Sequence, residues 1–516
     1  MKAILIYLGI LQCFALSVNG LKLLCVFPLP ARSHYILGNE LAKGLANLGH
    51  EVTIIAAFEE NNPPKGYRSV WISEIMEFKE ASGKQPNMFE MENMSPFLQM
   101  IFLPTVTPPL SEMIFNSTKV KALLNSNESF DAVIVEQFFI ECMTYIPYHF
   151  KAPLILFSTI GANRWINNLV ANPANPSYIP DILLSFGSDM TFYERLYNFV
   201  FDIASDLVLY QYVYPKHNTI LHKYFPNAPH LSKLQYNASL VLLNSHESIN
   251  QAVPHVPNMI DIGGFHVNPP KELPEDLKDF MDNAKEGVIY FSLGSNLVPS
   301  NMPQEKKNII LKVLGSRKEK ILWKWNEDQL ENKPSNVMIS KWFPQQAILA
   351  HPKCKLFISH GGLLSTIETV SLGIPVLAFP IYGDQKLNAK RIDAKGFGIA
   401  ITFSQITEQG LRDALEEVLD NPKYLENAKL ASRIIHDRPI KPIELADYWI
   451  KYVVRHKGAS HLRVAGLDLP LYKYYMLDVL ACVFGGIALL ALLLSKLSKK
   501  ILKTRSIMSQ SKQKKN

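Results

Sequence analysis

The sequence has no Asp-x-Asp pair, so the acidic clamp that commonly holds a metal–diphosphate is missing. Its first apolar strand is not followed by Gly-x-Gly-x-x-Gly, which argues against a dinucleotide at that corner. Neither Gly-x-Ser-x-Gly nor His-Glu-x-x-His occurs, and His246-Glu247 lacks the second histidine, so hydrolases built on those motifs are poorly supported. Cysteine is scarce, at five residues. Cys13 and Cys482 fall in the terminal apolar stretches, and Cys25, Cys142 and Cys354 cannot all pair. Each of these three sits in or beside an apolar run, which predicts buried thiols and a fold that needs no disulfides.

A length of 516 residues with 48% hydrophobic content predicts more than one domain and large cores. Residues 1–20 carry Lys2, an apolar centre and a small-residue end, the pattern of a secretory leader cleaved after Gly20. Val479 to Leu494 is apolar and uncharged over 16 residues. As a helix it reaches about 24 Å against roughly 30 Å of hydrocarbon. Tyr472, Tyr474 and Tyr475 suit one interface and Lys496 the other, so a single span over 478–495 is expected. The tail 496–516 holds eight basic residues and no acid. Removing these and Lys2 from the formal +7 leaves −2 for the remainder. The basic balance therefore speaks of membrane topology, with the tail cytosolic and the bulk lumenal, and not of nucleic acid. The ending Lys512-Gln513-Lys514-Lys515-Asn516 resembles a lysine-based retrieval signal for the endoplasmic reticulum. Sequons at Asn93, Asn116, Asn127 and Asn237 fit a secretory route.

The chain is organised around Trp342 to Gln385. Lys355 to Ile358 reads as a buried parallel strand running into Ser359-His360-Gly361-Gly362 and a helix. Two glycines admit a ligand close to the backbone, and a helix N-terminus favours an anion. Ser365 and Glu368, three residues apart, share one helix face. A second strand, Pro375 to Phe379, leads to Gly383-Asp384-Gln385. Strand ends carry the ligand in open α/β sheets, so we assign phosphate to His360, Gly362 and Ser365, and ribose to Glu368. Further sugar hydroxyls fall to Asp384 and Gln385, and a nucleobase to the flat face of Trp342 and the amide of Gln345.

Upstream, a strand at Leu21–Phe27, a helix from about His34 to Leu48 and a strand at Glu51–Ala57 make a β-α-β opening that sets His34 at a strand end. Phe130–Val135 is a strand followed by Glu136. Asn87–Phe115 and 165–225 are rich in large apolar and aromatic residues, which fits either an acceptor pocket or domain core. Pro254–Pro274 marks an interdomain connection. Gly287–Ser292 begins a second unit, and its turn Leu293-Gly294-Ser295-Asn296, with Ser292, offers N–H and hydroxyl groups to a phosphate. Strands at Ile321–Trp325 and Val337–Ile339 and helices near 384–395, 407–420 and 441–457 complete it.

The order Trp-x-Pro-Gln, His-x-Gly, a glutamate eight residues after the histidine, two prolines and Asp-Gln resembles the signature of the UDP-glycosyltransferase family over about forty positions. Leu363-Leu364-Ser365-Thr366, where plant and vertebrate members carry Asn before Ser, looks like the arthropod branch of the membrane-bound animal type. The resemblance implies the GT-B fold, two Rossmann-like domains facing a cleft, followed by a transmembrane helix. The expected segments are 21–265 for the acceptor domain, 266–286 for the linker, 287–460 for the UDP-sugar domain and 461–477 for the juxtamembrane stretch.

It further implies inverting transfer of a sugar from a UDP-sugar, a co-substrate and not a cofactor, to a hydroxyl of a small lipophilic acceptor, without metal. Ser33-His34 looks like the loop bearing the family's catalytic histidine, and Glu136 stands where the family places a catalytic Asp. Vertebrate relatives have an Arg between prolines where this chain reads Ala252-Val253-Pro254, which favours UDP-glucose over UDP-glucuronate. A membrane-anchored binder of UDP-sugar or lipophile with impaired catalysis is the alternative, motivated by Glu136 and Leu364. The sequence leaves a homo-oligomer open.

Overall fold

The computed structural model describes residues 20–81 and 87–513. Of the expected leader only Gly20 falls among them, and Lys514 and Lys515 of the retrieval-like ending lie outside. The chain divides at Arg463 into a large unit and a C-terminal unit.

In the large unit, thirteen strands among the described residues form two wholly parallel sheets. The first holds β1 (Lys22–Phe27), β2 (Glu51–Ala56), β3 (Tyr67–Trp71), β4 (Ala132–Glu136), β5 (Leu154–Ser158), β6 (Ala238–Leu243) and β7 (Met259–Asp261), in the order β3-β2-β1-β4-β5-β6-β7. The second holds β8 (Val288–Ser292), β9 (Lys320–Lys324), β10 (Val337–Ser340), β11 (Cys354–Ser359), β12 (Val376–Ala378) and β13 (Gly398–Ala400), in the order β10-β9-β8-β11-β12-β13. The two halves thus repeat one doubly wound topology. In each the strand order reverses at a single point, between β1 and β4 and between β8 and β11. Strands covered on both faces need apolar residues throughout, which is why Leu23–Phe27 and Ile289–Phe291 are fully buried runs and not alternating ones. Each large side chain so buried stabilises the fold by about 1.5–3 kcal/mol.

The helix Arg32–Asn47 buries Leu37, Leu41 and Leu45 against the first sheet. Leu48, expected on that face, lies beyond the helix and is exposed. The helix Leu363–Leu372 stops at Gly373, whose φ of 70° is the left-handed cap that glycine adopts without penalty.

The sequence boundaries need correction in four places. The connection Pro254–Pro274 contains the edge strand β7, and the linker 266–286 contains a helix, Glu275–Asp282, whose Leu277 and Met281 join the second half's core. The turn Met88–Asn93 belongs by sequence to the first half, yet Phe89 packs in the second half's core against Phe403, ring centres 5.1 Å apart. Conversely, the helix Pro442–Arg455 crosses back: Ala446, Ile450 and Val453 join the first half's core, and Asp447 Oδ1 lies 2.7 Å from His50 Nε2.

Cys25, Cys142 and Cys354 are free and buried as expected, and burial pushes each thiol up to about 12, so they stay protonated. Asn93, Asn116, Asn127 and Asn237 are all exposed. In the C-terminal unit, Leu477–Gln513 is one helix, and Leu477–Met508 is long and apolar enough to cross a membrane. The helix runs on through the basic tail because no Gly or Pro interrupts it after Gly486.

Candidate active site

Both reversal points open onto one cleft of about 870 Å³. On the first half's side, the loop after β1 and the start of the next helix bring in His34, and β4 ends in Glu136. Glu136 is fully buried behind the imidazole, with Oε1 2.5 Å from His34 Nδ1. The extra methylene relative to Asp is thus accommodated, and Glu136 reaches the ring directly. Two further contacts hold the ring. Thr159 Oγ1 lies 3.3 Å from Nδ1, and Phe138 meets it edge-to-face with centroids 4.8 Å apart. With Nδ1 turned to the carboxylate, Nε2 is the nitrogen left to act on a ligand, the tautomer a general base requires.

On the second half's side, β11 runs into Ser359-His360-Gly361-Gly362, and Gly362, which has no side chain of its own to cap with, starts the helix Leu363–Leu372, whose Leu363 N–H donates to the Asp384 carboxylate. A helix N-terminus at a strand end is an anion seat. The His360 ring fits between two glycines. A Cβ on Gly294 would come within 2.6 Å of its Cε1, and one on Gly362 within 2.6 Å of its Nε2. Burial first, then the charge of Lys324, lowers the His360 pKa to about 4, so the ring is a neutral hydrogen-bonding group at physiological pH. Its Nδ1 is buried without a partner. Ser292 and Ser295 line the same wall, and Ser292 Oγ accepts from Gly294 N at 3.3 Å.

Glu368 and Ser365 point inward from that helix, but in this structure they are already engaged. Gln346 Nε2 donates to Glu368 Oε1 at 2.7 Å, and Gln345 Nε2 donates to Glu368 Oε2 and, at 3.2 Å, to Ser365 Oγ. Burial raises the Glu368 carboxyl above its ordinary range against the pull of these two amides. The Gln345 amide, expected to read a nucleobase beside Trp342, is thus directed at the neighbouring carboxylate instead. Gln385 differs as well: its carbonyl oxygen accepts from Ile381 N and Tyr382 N, so it closes its own turn and leaves only the amide nitrogen for a ligand. Asp384 lines the cleft with Oδ2 2.7 Å from Asn388 Nδ2, its carboxyl raised by burial.

Trp342 stands 53% exposed at the cleft, consistent with a stacking platform. Two cations that sequence reading missed lie against its ring: Lys324 Nζ at 4.4 Å and the Arg32 guanidinium at 5.5 Å from the centroid. Lys324, the last residue of β9, also donates to Gly294 O at 2.9 Å, and burial, then Arg32, lowers it to about 8. Position at a strand end was the available signal for Lys324 and for Thr159, which follows β5.

The structure therefore brings into one cleft His34, Ser292, Ser295, Trp342, Gln345, His360, Gly362, Ser365, Glu368, Asp384 and Gln385, with Glu136 behind. Of the apolar stretches, Met88, Phe102, Leu103, Val106, Leu110 and Met113 line it. Ala252 and Val253 do not; they line a separate small cavity with Arg164 and Arg391, so the missing arginine at that stretch is not a missing wall of this cleft.

A family model described as "UDP-glucoronosyl and UDP-glucosyl transferase" matches residues 72–514. A Dactylopius coccus protein named UDP-glycosyltransferase UGT5 is 35% identical over 93% of this chain and 91% of its own length. UDP-glucosyltransferase 2 of the same insect is 32% identical over 92% of each. Human UDP-glucuronosyltransferase 1A8 is 33% identical over 74% of this chain and 72% of its own length. Among solved structures, a UDP-glucosyltransferase from Polygonum tinctorium superposes with a TM-score of 0.54 at 16% identity, covering 84% of this chain and 99% of that one. The kitacinnamycin glycotransferase gives 0.56 at 16% identity with the same coverage. Both likenesses support the two-domain GT-B fold.

Proposed function

We propose, taking as premise that the chain belongs to the UDP-glucuronosyl and UDP-glucosyl transferase family, that it moves glucose from UDP-glucose to a hydroxyl group of a small lipophilic acceptor with inversion at the sugar carbon. The observation that carries this is the shared cleft, with a buried carboxylate–imidazole pair on one wall and a glycine-capped helix N-terminus on the other. The acceptor hydroxyl lies in the apolar half near His34. Nε2 takes its proton as the oxygen attacks the sugar carbon, worth about 10²–10⁴-fold. The bond from that carbon to the diphosphate oxygen breaks on the opposite side, and UDP leaves with the electron pair. Glu136 stabilises the imidazolium. The first N–H groups of Leu363–Leu372, His360 and Lys324 face the charge that develops on the departing phosphate.

Glucose is favoured because the groups assigned to the sugar, Asp384 and Gln385, bring no cation to pair with a uronate, and the cations lining the cleft, Lys271 and Lys324, sit on other segments. No metal is required in this scheme, since the helix N-terminus and Lys324 supply the countercharge. Membranes bearing the protein, incubated with UDP-glucose, UDP-glucuronate and UDP-galactose and a panel of phenols, test it. The expected product is a β-glucoside formed equally well in chelator. A predominant glucuronide refutes the donor, a retained α-linkage the mechanism, and loss of turnover in chelator the metal independence. Binding of UDP with no transfer to any acceptor supports the binder reading instead.

A further inference from the structure

The helix Phe192–Val208 is inside out. Phe192, Leu196, Phe199, Val200, Ile203 and Leu207 recur at helical spacing and expose 63, 48, 51, 47, 45 and 56% of their surface. The opposite face, turned to the protein, is mostly polar, with Asn198, Asp202 and Ser205 buried beside a single apolar side chain, Phe201. That orientation is locked. Arg164 NH1 lies 2.7 Å from Asp202 Oδ2, and its Nε donates to Asp206 Oδ1 at 2.9 Å. Thr191 and Glu194 form a reciprocal capping box at the start. A helix packed against its own fold presents its apolar stripe inward, so this one is built to meet an apolar phase.

Two observations say which. First, Arg463, the last residue of the large unit, donates to the carbonyl of Tyr236, whose hydroxyl lies 3.0 Å from that of Tyr210, the next residue along the outward stripe. The connection to the apolar C-terminal helix thus begins at the edge of this face. Second, the neighbouring helix Pro96–Thr105, held to it by Phe97 with ring centres 5.5 Å from Tyr197 and 5.0 Å from Phe201, carries Leu98 and Ile101 outward while Phe102 and Leu103 line the cleft. One helix, about 10 Å thick, therefore separates the outward face from the acceptor half of the cleft.

We propose that Phe192–Val208, with Leu98 and Ile101 beside it, docks into the surface of the lipid bilayer, so that lipophilic acceptors dissolved there reach the cleft without crossing water. Exposed tyrosines at positions 193, 197, 210 and 212 bring ring and hydroxyl to the level where such side chains settle. The proposal rests on the reading that Leu477–Gln513 spans the membrane and that the acceptor is lipophilic.

The full chain, with a protease site placed between Val464 and Pro470, is reconstituted into neutral phosphatidylcholine vesicles, and those with the large unit outside are cleaved and floated. The wild-type large unit should float with the vesicles. Phe199→Ser, Ile203→Ser and Leu207→Ser together should release it on the order of tenfold or more, with UDP binding intact. In the conservative variant Phe199→Trp, brominated lipid should quench the new indole. Equal release of wild type and variant, an unquenched indole, or a cleaved wild type that leaves the vesicles as a dimer each overturns lipid docking, the last in favour of a second copy. A C-terminal fragment that does not float refutes the span and not the docking face.

Discussion

Replacing Glu136 by Gln tests the catalytic pair with little change of shape. Glu136 is fully buried, and its carboxylate is the one group 2.5 Å from His34 Nδ1 that can stabilise the imidazolium formed during transfer. At roughly 4 Å between charge centres and an effective dielectric near 20, that attraction is about 4 kcal/mol. Its loss corresponds to about 10³-fold in kcat. A second effect acts in the same direction. The Gln amide can donate to Nδ1, fixing the tautomer whose Nε2 carries a hydrogen and cannot accept a proton. Initial rates with saturating UDP-glucose, set beside UDP affinity by calorimetry, measure both. The expected result is kcat down about 10³-fold with UDP affinity within twofold, because Glu136 lies behind the histidine on the wall away from the diphosphate corner. Glu136→Asp, shorter by about 1.5 Å, should fall between, near 10²-fold, since misplacement of that size is costly. A Gln variant within tenfold of wild type would remove His34 as the base.

Three further outcomes follow from the second half's wall. Gly362→Ala, at a φ of −62° that any residue tolerates, puts a methyl 2.6 Å from Nε2 of the wedged His360 ring, so KM for the UDP-sugar should rise at least about tenfold and denaturant unfolding should show an overpacking cost of about 1–3 kcal/mol; Gly294→Ala, which meets the same ring at a φ of +80°, should cost about 1–2 kcal/mol more. Lys324 is held near 8 and is charged below that value and neutral above it, so kcat/KM for the donor should decline above pH 8; Lys324→Arg should remove the decline, and identical profiles would refute a role for this charge. Gln346→Ala leaves Glu368 Oε1 buried without its donor at a cost of about 1–3 kcal/mol, so Tm should fall, and added UDP, whose ribose hydroxyls replace the amide, should raise it more in the variant than in wild type.

What the sequence made legible was whatever is encoded by neighbours. The strand–corner–helix at Lys355–Glu368 and the second corner at Asp384 lie within one short stretch, so spacing alone was enough to bring His360, Gly362, Ser365, Glu368 and Asp384 to one cleft. His34 and Glu136 were legible for a related reason: each follows or ends an apolar strand, and the strand-end rule converts that into position without any contact being known. The side-chain partners were not. Gln345 and Gln346 close on Glu368, Gln385 closes on its own turn, and Lys324 lies over Trp342 from a different strand; none of these pairings leaves a periodic trace.

The same limit explains the domain boundaries. The expected segments 21–265 and 287–460 assign Met88–Asn93 to the first half and Pro442–Arg455 to the second, yet each packs in the other. The exchange has a consequence for the site. Gln99 Oε1, on the helix that walls the acceptor side, accepts from Gly383 N, 3.1 Å away in the corner that carries Asp384. Gln346, which holds Glu368, also donates to His266 O and accepts from Asn268 N in the connection between the sheets, and Asn268 Nδ2 reaches Glu40 at 2.7 Å. A ribose that displaces Gln346 from Glu368 therefore loosens or re-forms contacts that join the two halves. His34 and Glu136 come from one sheet and His360 and Gly362 from the other, so the proposed transfer needs both walls in register. The crossing segments supply that register from residues outside the motif by which the site is recognised.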